Sequence, residues 1–336
     1  MAIYHFNINL IRRSRGQSIV KVASRRSAES LYDHRLDKIH KVRNTPKVVY
    51  KGIFLPKKVS KWMKNREKLW NAVEKKEKRK DAQLAREIRV ALPQELILEQ
   101  HILLMRDFAQ NHLISLGMVV DLFIHENSHK VNRNATHPIV ETDDRVFFTG
   151  YFLLSTRSVS QEGFGLKVLE WGKKEQLFFW REAWATVMNC HLEKNGFEVR
   201  VDHRSYYEQG INLEPQNKRG PKGTEKRFTH KVKEHNDIAK SNGERIYQNP
   251  CIALQALTQQ KTIFTKKDLV HFIKGHSTKE QFDRVFAQVY TAPELIHLKP
   301  EEGENQHELF FAYRPKTPSR SSQIIRPKTI HPEKKG

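Results

Sequence analysis

The chain has almost no cysteine: Cys190 and Cys251 are its only thiols among 336 residues, and neither has a second cysteine near it. A zinc ribbon needs closely spaced cysteine pairs and a small disulfide scaffold needs several bridges, so both are excluded, and the thiol usage suits a reducing cytoplasm. Long apolar runs are missing too; none approaches the ~18 residues that a membrane-crossing helix requires. The opening MAIYHFNINLIRRSRG lacks the charged start and long apolar stretch of a secretion signal. No G-x-x-x-x-G-K-[ST] phosphate loop occurs, which excludes a Walker-type motor within these residues. Acidic residues are in short supply. Lys and Arg number 60 against 38 Asp and Glu, a net charge of +22, and the pI is near 9.9. Such an excess suits a polyanionic partner, nucleic acid above all, better than an acidic small molecule. The expectation is a cytoplasmic protein with no membrane insertion.

What is present is an interleaving of strand and helix patterns. Residues 2–11 alternate, with His5, Asn7 and Asn9 on one side and Tyr4, Phe6, Ile8 and Leu10 on the other, which predicts a strand tolerant of a sheet edge. A basic loop, Arg12-Arg13-Ser14-Arg15-Gly16, follows. The spacing then predicts a helix from Ser18 to Arg35, a strand from Val48 to Phe54 and a helix from Ser60 to Lys80. A strand from Leu84 to Leu92 precedes a long helix opened by Pro93 and stopped by Gly117, and strands follow at Met118–His125 and Val146–Ser155. Trp180, Trp184, Val187 and Met188 recur at helical spacing until Asn195-Gly196 ends the pattern. Phe197–Val201 alternates like a strand with one buried face, and Asp202-His203-Arg204-Ser205 turns the chain towards a new helix. This order argues for an α+β fold with a largely antiparallel sheet and helices on one face.

Four segments are expected: one domain over residues 1–221, a charged linker over 222–247, a small module over 248–313 and a disordered basic tail over 314–336. In the module, Thr265–Asp268 and Ser277–Glu280 have capping-box spacing before apolar helical runs, and His307–Tyr313 reads as a hairpin strand. Three short helices with a hairpin predict a winged-helix-like module.

A series of segments, in order, carries a family resemblance. It comprises MAIYHF at the start, EKRKDAQLAREIRVALPQEL at 77–96, RDFA at 106–109, VDLFIH at 120–125, LLSTRSVSQEGFG at 153–165, and WREAWA from Trp180 followed by VDHRS and QGINLEP. Together these resemble the MobA/MobL relaxases over most of residues 1–221. ALTQQKTIFTKKDLVHFI and STKEQFDRVFAQVYTAPELIHL resemble the segment that joins relaxase to helicase in TraA-type conjugation proteins. The resemblance implies an HUH-relaxase-like antiparallel sheet with helices packed on it, and the nicking of DNA for conjugation or plasmid mobilisation. In that chemistry a tyrosine hydroxyl attacks a phosphodiester, while a divalent metal held by histidines offsets the developing charge.

Laid on the family's pattern, this chain departs from it at three places. QSIVKVASRRSAE puts Arg25 where the nucleophilic tyrosine is expected. Tyr32, seven residues on along the expected helix, lies about 10 Å away and is the weak alternative. His125 of FIH falls at the first metal ligand, but the H-x-H before LLSTR reads Thr149-Gly150-Tyr151, leaving His129 and His137 as the other candidate ligands. Glu87 keeps one acidic position and Arg89 replaces the second. The primary expectation is therefore a relaxase-like protein that binds transfer-origin DNA with a degenerate nicking site. The alternative is an active metal-dependent nicking enzyme that forms a phosphotyrosine–DNA intermediate through a displaced tyrosine. Arg12, Arg13, Arg15, Arg25, Arg89 and Arg157 are the expected DNA contacts. The expected partners are single-stranded or hairpin DNA at a transfer origin and other conjugation proteins. No cofactor is expected in the first reading, and Mg or Mn in the second.

Overall fold

The structure, a computed structural model, describes residues 4–42, 47–128, 146–215, 229–298 and 309–314. The chain divides into two units, Met1–Ser205 and Tyr206–Gly336. The first runs β1 (Phe6–Arg12), α1 (Ile19–Ser27), β2 (Leu31–Asp33), β3 (Lys38–His40), β4 (Lys47–Phe54), α2 (Arg66–Lys76), β5 (Gln83–Ala91), α3 (Leu98–His112), β6 (Val120–Ser128), β7 (Val146–Ser155), β8 (Arg157–Ser160), β9 (Gly163–Lys167) and α4 (Lys174–Lys194). Five strands form one sheet in the order β1-β5-β7-β6-β4, antiparallel at every pairing. The fold is α+β, as the sequence predicts, and β1 takes an edge.

Helices cover both faces of this sheet rather than one. The reason lies in central strand β7, where every residue from Thr149 to Ser155 is buried. Alternation along a strand sends Phe152 and Leu154 one way and Tyr151 and Leu153 the other, so each face needs cover. Leu104 and Phe108 of α3 and Trp180 and Trp184 of α4 cover the first face. Ile19 and Ala23 of α1 and Leu69 and Trp70 of α2 cover the second.

Four local expectations are corrected. The helix predicted over Ser18–Arg35 ends at Ser27, because Ala28 turns left-handed at φ 55° and Ser24 donates its hydroxyl to the carbonyls of Glu29 and His40. The chain then forms the β2–β3 hairpin, which places Tyr32 on a strand and not on α1. The helix predicted from Ser60 to Lys80 is a 3-10 turn at Lys61–Lys64 followed by α2, whose amide at Lys68 is capped by the Asn65 side chain. Phe197–Val201 is not a strand. Val199 and Val201 are buried as the alternation predicts, but the Val201 N–H and C=O are taken by the Asn189 side chain at 2.8 and 2.9 Å, so no partner strand is required. Nor does a helix begin at residues 202–205.

The second unit holds α5 (Thr229–Gln248), α6 (Cys251–Thr258), β10 (Phe264–Thr265), α7 (Lys266–His276), α8 (Lys279–Tyr290), β11 (Leu295–Leu298) and β12 (Phe310–Tyr313). Its sheet has the order β10-β12-β11. The unit boundary falls at Ser205, earlier than residue 221, and α5 fills most of the expected linker. Asn242, buried in α5, holds the backbone of Glu214 at 2.8 and 2.9 Å, which draws the segment before the linker into this unit. Thr265 and Thr278 cap α7 and α8 through reciprocal boxes with Asp268 and Gln281, so the second box begins one residue later than its sequence spacing suggests. Of the expected tail, all but Arg314 lies outside the described residues. No helix among the described residues is long and apolar enough to cross a membrane.

One buried ion pair locks α2 to the sheet. Asp121 on β6 is fully buried and accepts from Arg66 Nε and Nη2 at 2.9 and 2.8 Å and from Trp70 Nε1 at 2.9 Å. Arg66 and Trp70 stand four residues apart, one turn of the same helix face. Removing one partner of a buried pair strands the other charge. Asp121→Ala is expected to cost about 3–5 kcal/mol in urea unfolding, and adding Arg66→Met should restore much of that loss. A loss under about 1 kcal/mol, in the range of an exposed pair, would show that the pair is not structural.

Candidate functional site

Strand register builds the site on the α1 side of the sheet. Asn9 faces Glu87 and Asn7 faces Arg89 across β1 and β5, Arg89 pairs with Tyr151, and Thr149 pairs with His125. Period-two alternation therefore puts Asn7, Asn9, Glu87, Arg89, Thr149, Tyr151 and His125 on one face. Helix α1 lies against this face, with Ile19, Ala23 and Ser27 buried. Arg26, seven residues after Ile19 and three after Ala23, falls on the same inward stripe.

Arg26 is the centre of the site. Its Nε and Nη2 donate to the two Glu87 carboxylate oxygens at 2.6 and 3.0 Å. Its guanidinium lies 3.9 Å from the centroid of the Tyr151 ring, close enough for a cation–π contact. Its backbone carbonyl accepts from His125 Nε2 at 2.7 Å, and the His125 ring packs on Tyr151 with centroids 4.8 Å apart. Burial alone would lower the Arg26 guanidinium, but the Glu87 carboxylate outweighs it and holds the group above its ordinary value. Burial, aided by the Arg26 charge, pushes the His125 imidazole below the usual histidine range. A carbonyl only accepts, so Nε2 carries the proton of the neutral ring, and buried Nδ1 is left without a partner.

Beside this cluster lies a cavity of about 230 Å³, lined by Asn9, Leu10, Ile11, Arg15, Gln17, Val22, Arg25, Arg26 and Glu87. Arg15 and Arg25 are exposed and have no carboxylate partner among the described residues. With Arg26 neutralised by Glu87, the lining carries two uncommitted guanidinium groups, donors suited in charge and shape to a phosphate.

The predicted site residues separate accordingly. Arg15, Arg25 and Glu87 come together at the cavity, whereas Arg89 is exposed on the same sheet face but does not line it. Arg12 does not line it either; it offers its backbone N–H to Gln17 at 2.8 Å. Arg13 is committed to structure, paired with Glu74 at 2.7 Å and donating to the Glu77 carbonyl. Arg157 is likewise held by Glu77 at 2.7 Å. Tyr32 donates its hydroxyl to Asp37, and that bond raises its pKa, the opposite of what a nucleophilic phenol needs. His129 and His137 lie outside the described residues. Sequence reasoning missed Arg26; its place on the buried stripe of α1 was the available signal.

A divalent metal at the place implied by the family resemblance would need ligands at positions 125, 149 and 151. The residues there do not fit one. Only His125 keeps a ligand atom, its unpartnered Nδ1, while Thr149 Oγ1 accepts from Asn127 at 3.1 Å and Tyr151 lies beneath a guanidinium. Among the described residues no group of three or more His, Cys, Asp or Glu side chains is placed to hold an ion.

Comparison with known proteins agrees with this architecture. The MobA/MobL family model matches residues 17–228. The conjugal transfer protein TraA of Rhizobium radiobacter is 29% identical over 327 residues, which cover 90% of this chain and 30% of that protein. The mobilization protein MobL of Acidithiobacillus ferridurans is 31% identical over 266 residues, covering 73% of this chain and 70% of that one. A solved structure described as the molecular basis of vancomycin resistance transfer in Staphylococcus aureus is 33% identical, with a TM-score of 0.52, covering 61% of this chain and 100% of that chain. The chain thus spans about a third of the length of the TraA proteins it matches.

His125 makes a pH prediction. A histidine lowered in the folded state binds a proton more readily once unfolded, so its contribution to stability falls as pH drops through the ordinary value, about 6.5. Urea unfolding between pH 7.5 and 5.5 should show stability declining with acid, and less steeply in His125→Gln. An unchanged slope in that variant would mean the ring is not held neutral.

Proposed function

The chain belongs to the MobA/MobL family, and on that premise we propose that it binds transfer-origin DNA in conjugation or plasmid mobilisation without nicking it. The observation that carries this reading is the cavity. Arg25, at the position where the resemblance expects the nucleophile, lines it with Arg15, while Arg26 and Glu87 are already paired with each other. Two guanidinium groups take a phosphate by charge and by paired hydrogen bonds, and neither attacks phosphorus.

The other tyrosines give the nicking alternative little support. No tyrosine lines the cavity. Tyr4 donates to the Arg181 carbonyl and is pushed up to about 12, chiefly by burial, which opposes ionisation. Tyr151 is covered by Arg26. On this reading the protein works in the cytoplasm, takes single-stranded or hairpin DNA, and joins other conjugation proteins on it. The order α6, β10, α7, α8, β11, β12 with sheet order β10-β12-β11 supports reading the second unit as a winged-helix-like module.

Titration of a labelled single strand at several salt concentrations tests the binding half. Affinity should fall steeply with salt, and Arg15→Ala with Arg25→Ala should lower the logarithmic slope by roughly 1.4, about 0.7 for each phosphate no longer neutralised. An unaltered slope would remove the cavity from the interface. A denaturing gel tests the other half: wild-type protein should leave no protein-linked strand, and Arg25→Tyr alone should stay inactive because nucleophile and metal act as a unit. A wild-type adduct abolished by Tyr32→Phe would replace this reading with the enzymatic one.

A further inference from the structure

Helix α8 carries more aromatic surface than its core face uses. Its buried contacts to the second unit are Val285 and Val289, both fully buried. Beside them Phe282, Phe286 and Tyr290 recur every four residues, each half-buried, so they form a separate stripe along the helix. Their rings follow one another at 5.8 and 5.4 Å between centroids, with planes only 20° and 25° apart. Tyr290 also meets His297 of β11 and Phe311 of β12 edge-on at 5.4 and 5.8 Å, whereas Phe282 and Phe286 meet no further ring among the described residues.

The charge beside the stripe is positive and uncommitted. Lys266, at the start of α7, lies over the Tyr290 ring at 5.6 Å, and Lys274, two turns later, over Phe282 at 5.4 Å. The two helices therefore run in opposite directions, and the lysines bracket the stripe at its two ends. Both lysines are exposed, and neither has an ion-pair partner among the described residues. The outward side of α8 is different: Glu280 and Asp283 are exposed there, and Arg284 is already bound to Glu244 at 2.7 Å. That side would repel a duplex laid along it.

We propose that the seam between α7 and α8 is a platform for single-stranded nucleic acid, on which Phe282, Phe286 and Tyr290 stack bases while Lys266 and Lys274 hold phosphates. Aromatic rings interleaved with free cations are the combination that binds single strands without reading sequence. The ring steps of 5.8 and 5.4 Å exceed the roughly 3.4 Å per base of a duplex strand, so the platform suits bases spread apart rather than stacked in a helix. This surface stands independently of the cavity in the first unit.

The test uses the full chain with a fluorescein-labelled oligothymidylate, the duplex of matching length, and an oligothymidylate carrying 5-iododeoxyuridine for photocrosslinking. Wild-type protein should crosslink within residues 282–290. Phe286→Leu and Tyr290→Leu keep apolar volume but lose the stacking face, and each should weaken single-strand binding about fivefold or more, with duplex binding little changed. Lys266→Gln with Lys274→Gln should weaken the same binding and lower its salt dependence, while Arg15→Ala with Arg25→Ala should leave the crosslinks to α8 in place. Circular dichroism and melting temperature of each variant show that it is folded. Full single-strand affinity in both leucine variants, or crosslinks confined to other peptides, would overturn the proposal. Equal losses on duplex and single strand would overturn it in favour of groove binding.

Discussion

Arg26 ties α1 to three strands of the sheet, beside the packing of Ile19 and Ala23, and the site's character follows from that attachment. Its guanidinium reaches Glu87 on β5 and Tyr151 on β7, and its carbonyl reaches His125 on β6. Three neighbouring strands are thereby joined to one helix residue through a charged pair, a ring face and a backbone hydrogen bond. Burying a cation is tolerable only when a carboxylate meets it with good geometry, and the two-point contact with Glu87 supplies that. The pairing leaves little net charge at the floor of the cavity. The positive potential offered to a ligand then comes from Arg15 and Arg25 at its rim.

The same distinction sorts the basic residues of the first unit. Arg13, Arg66 and Arg157 each bind a buried or nearly buried carboxylate on another element, Glu74, Asp121 and Glu77 respectively. A phosphate could recruit one of these only by breaking a pair that holds the fold, and the stranded carboxylate would cost several kcal/mol. Arg15, Arg25 and Arg89 face no such cost. A net charge of +22 therefore overstates the surface available to DNA, because part of the arginine is mortar between strands and helices.

The sequence disclosed elements better than it disclosed their contacts. The strands at Leu84–Leu92 and Val146–Ser155 and the tryptophan-marked helix through Trp180 and Trp184 were visible because burial imposes a period on them. The β2–β3 hairpin was not, since three-residue strands are too short to show alternation, and the run from Ser18 to Arg35 contains no Gly or Pro to mark the break that Ala28 makes. Phe197–Val201 deceived for a related reason: alternation reports which side chains are buried, not which group satisfies the backbone, and here a single asparagine does so. At the site, Arg25 and Glu87 were legible by position. The pairing of Arg26 with Glu87 was not, because periodicity places a residue on a face without naming the residue opposite.

On the proposed reading the departures at the site act as one physical change rather than three. On that reading no metal charge offsets an adjacent phosphate beside Thr149 and Tyr151, and Glu87 alone would repel it. The guanidinium at Arg26 cancels that carboxylate and lies over the ring at Tyr151. With the floor neutral, an arginine at position 25 is favourable where a phenol would be idle. Arg25 brings both charge and donors to the same cavity. On the proposed reading these groups suit holding a phosphodiester, and His125, whose imidazole burial pushes below the usual histidine range, adds little charge to that balance.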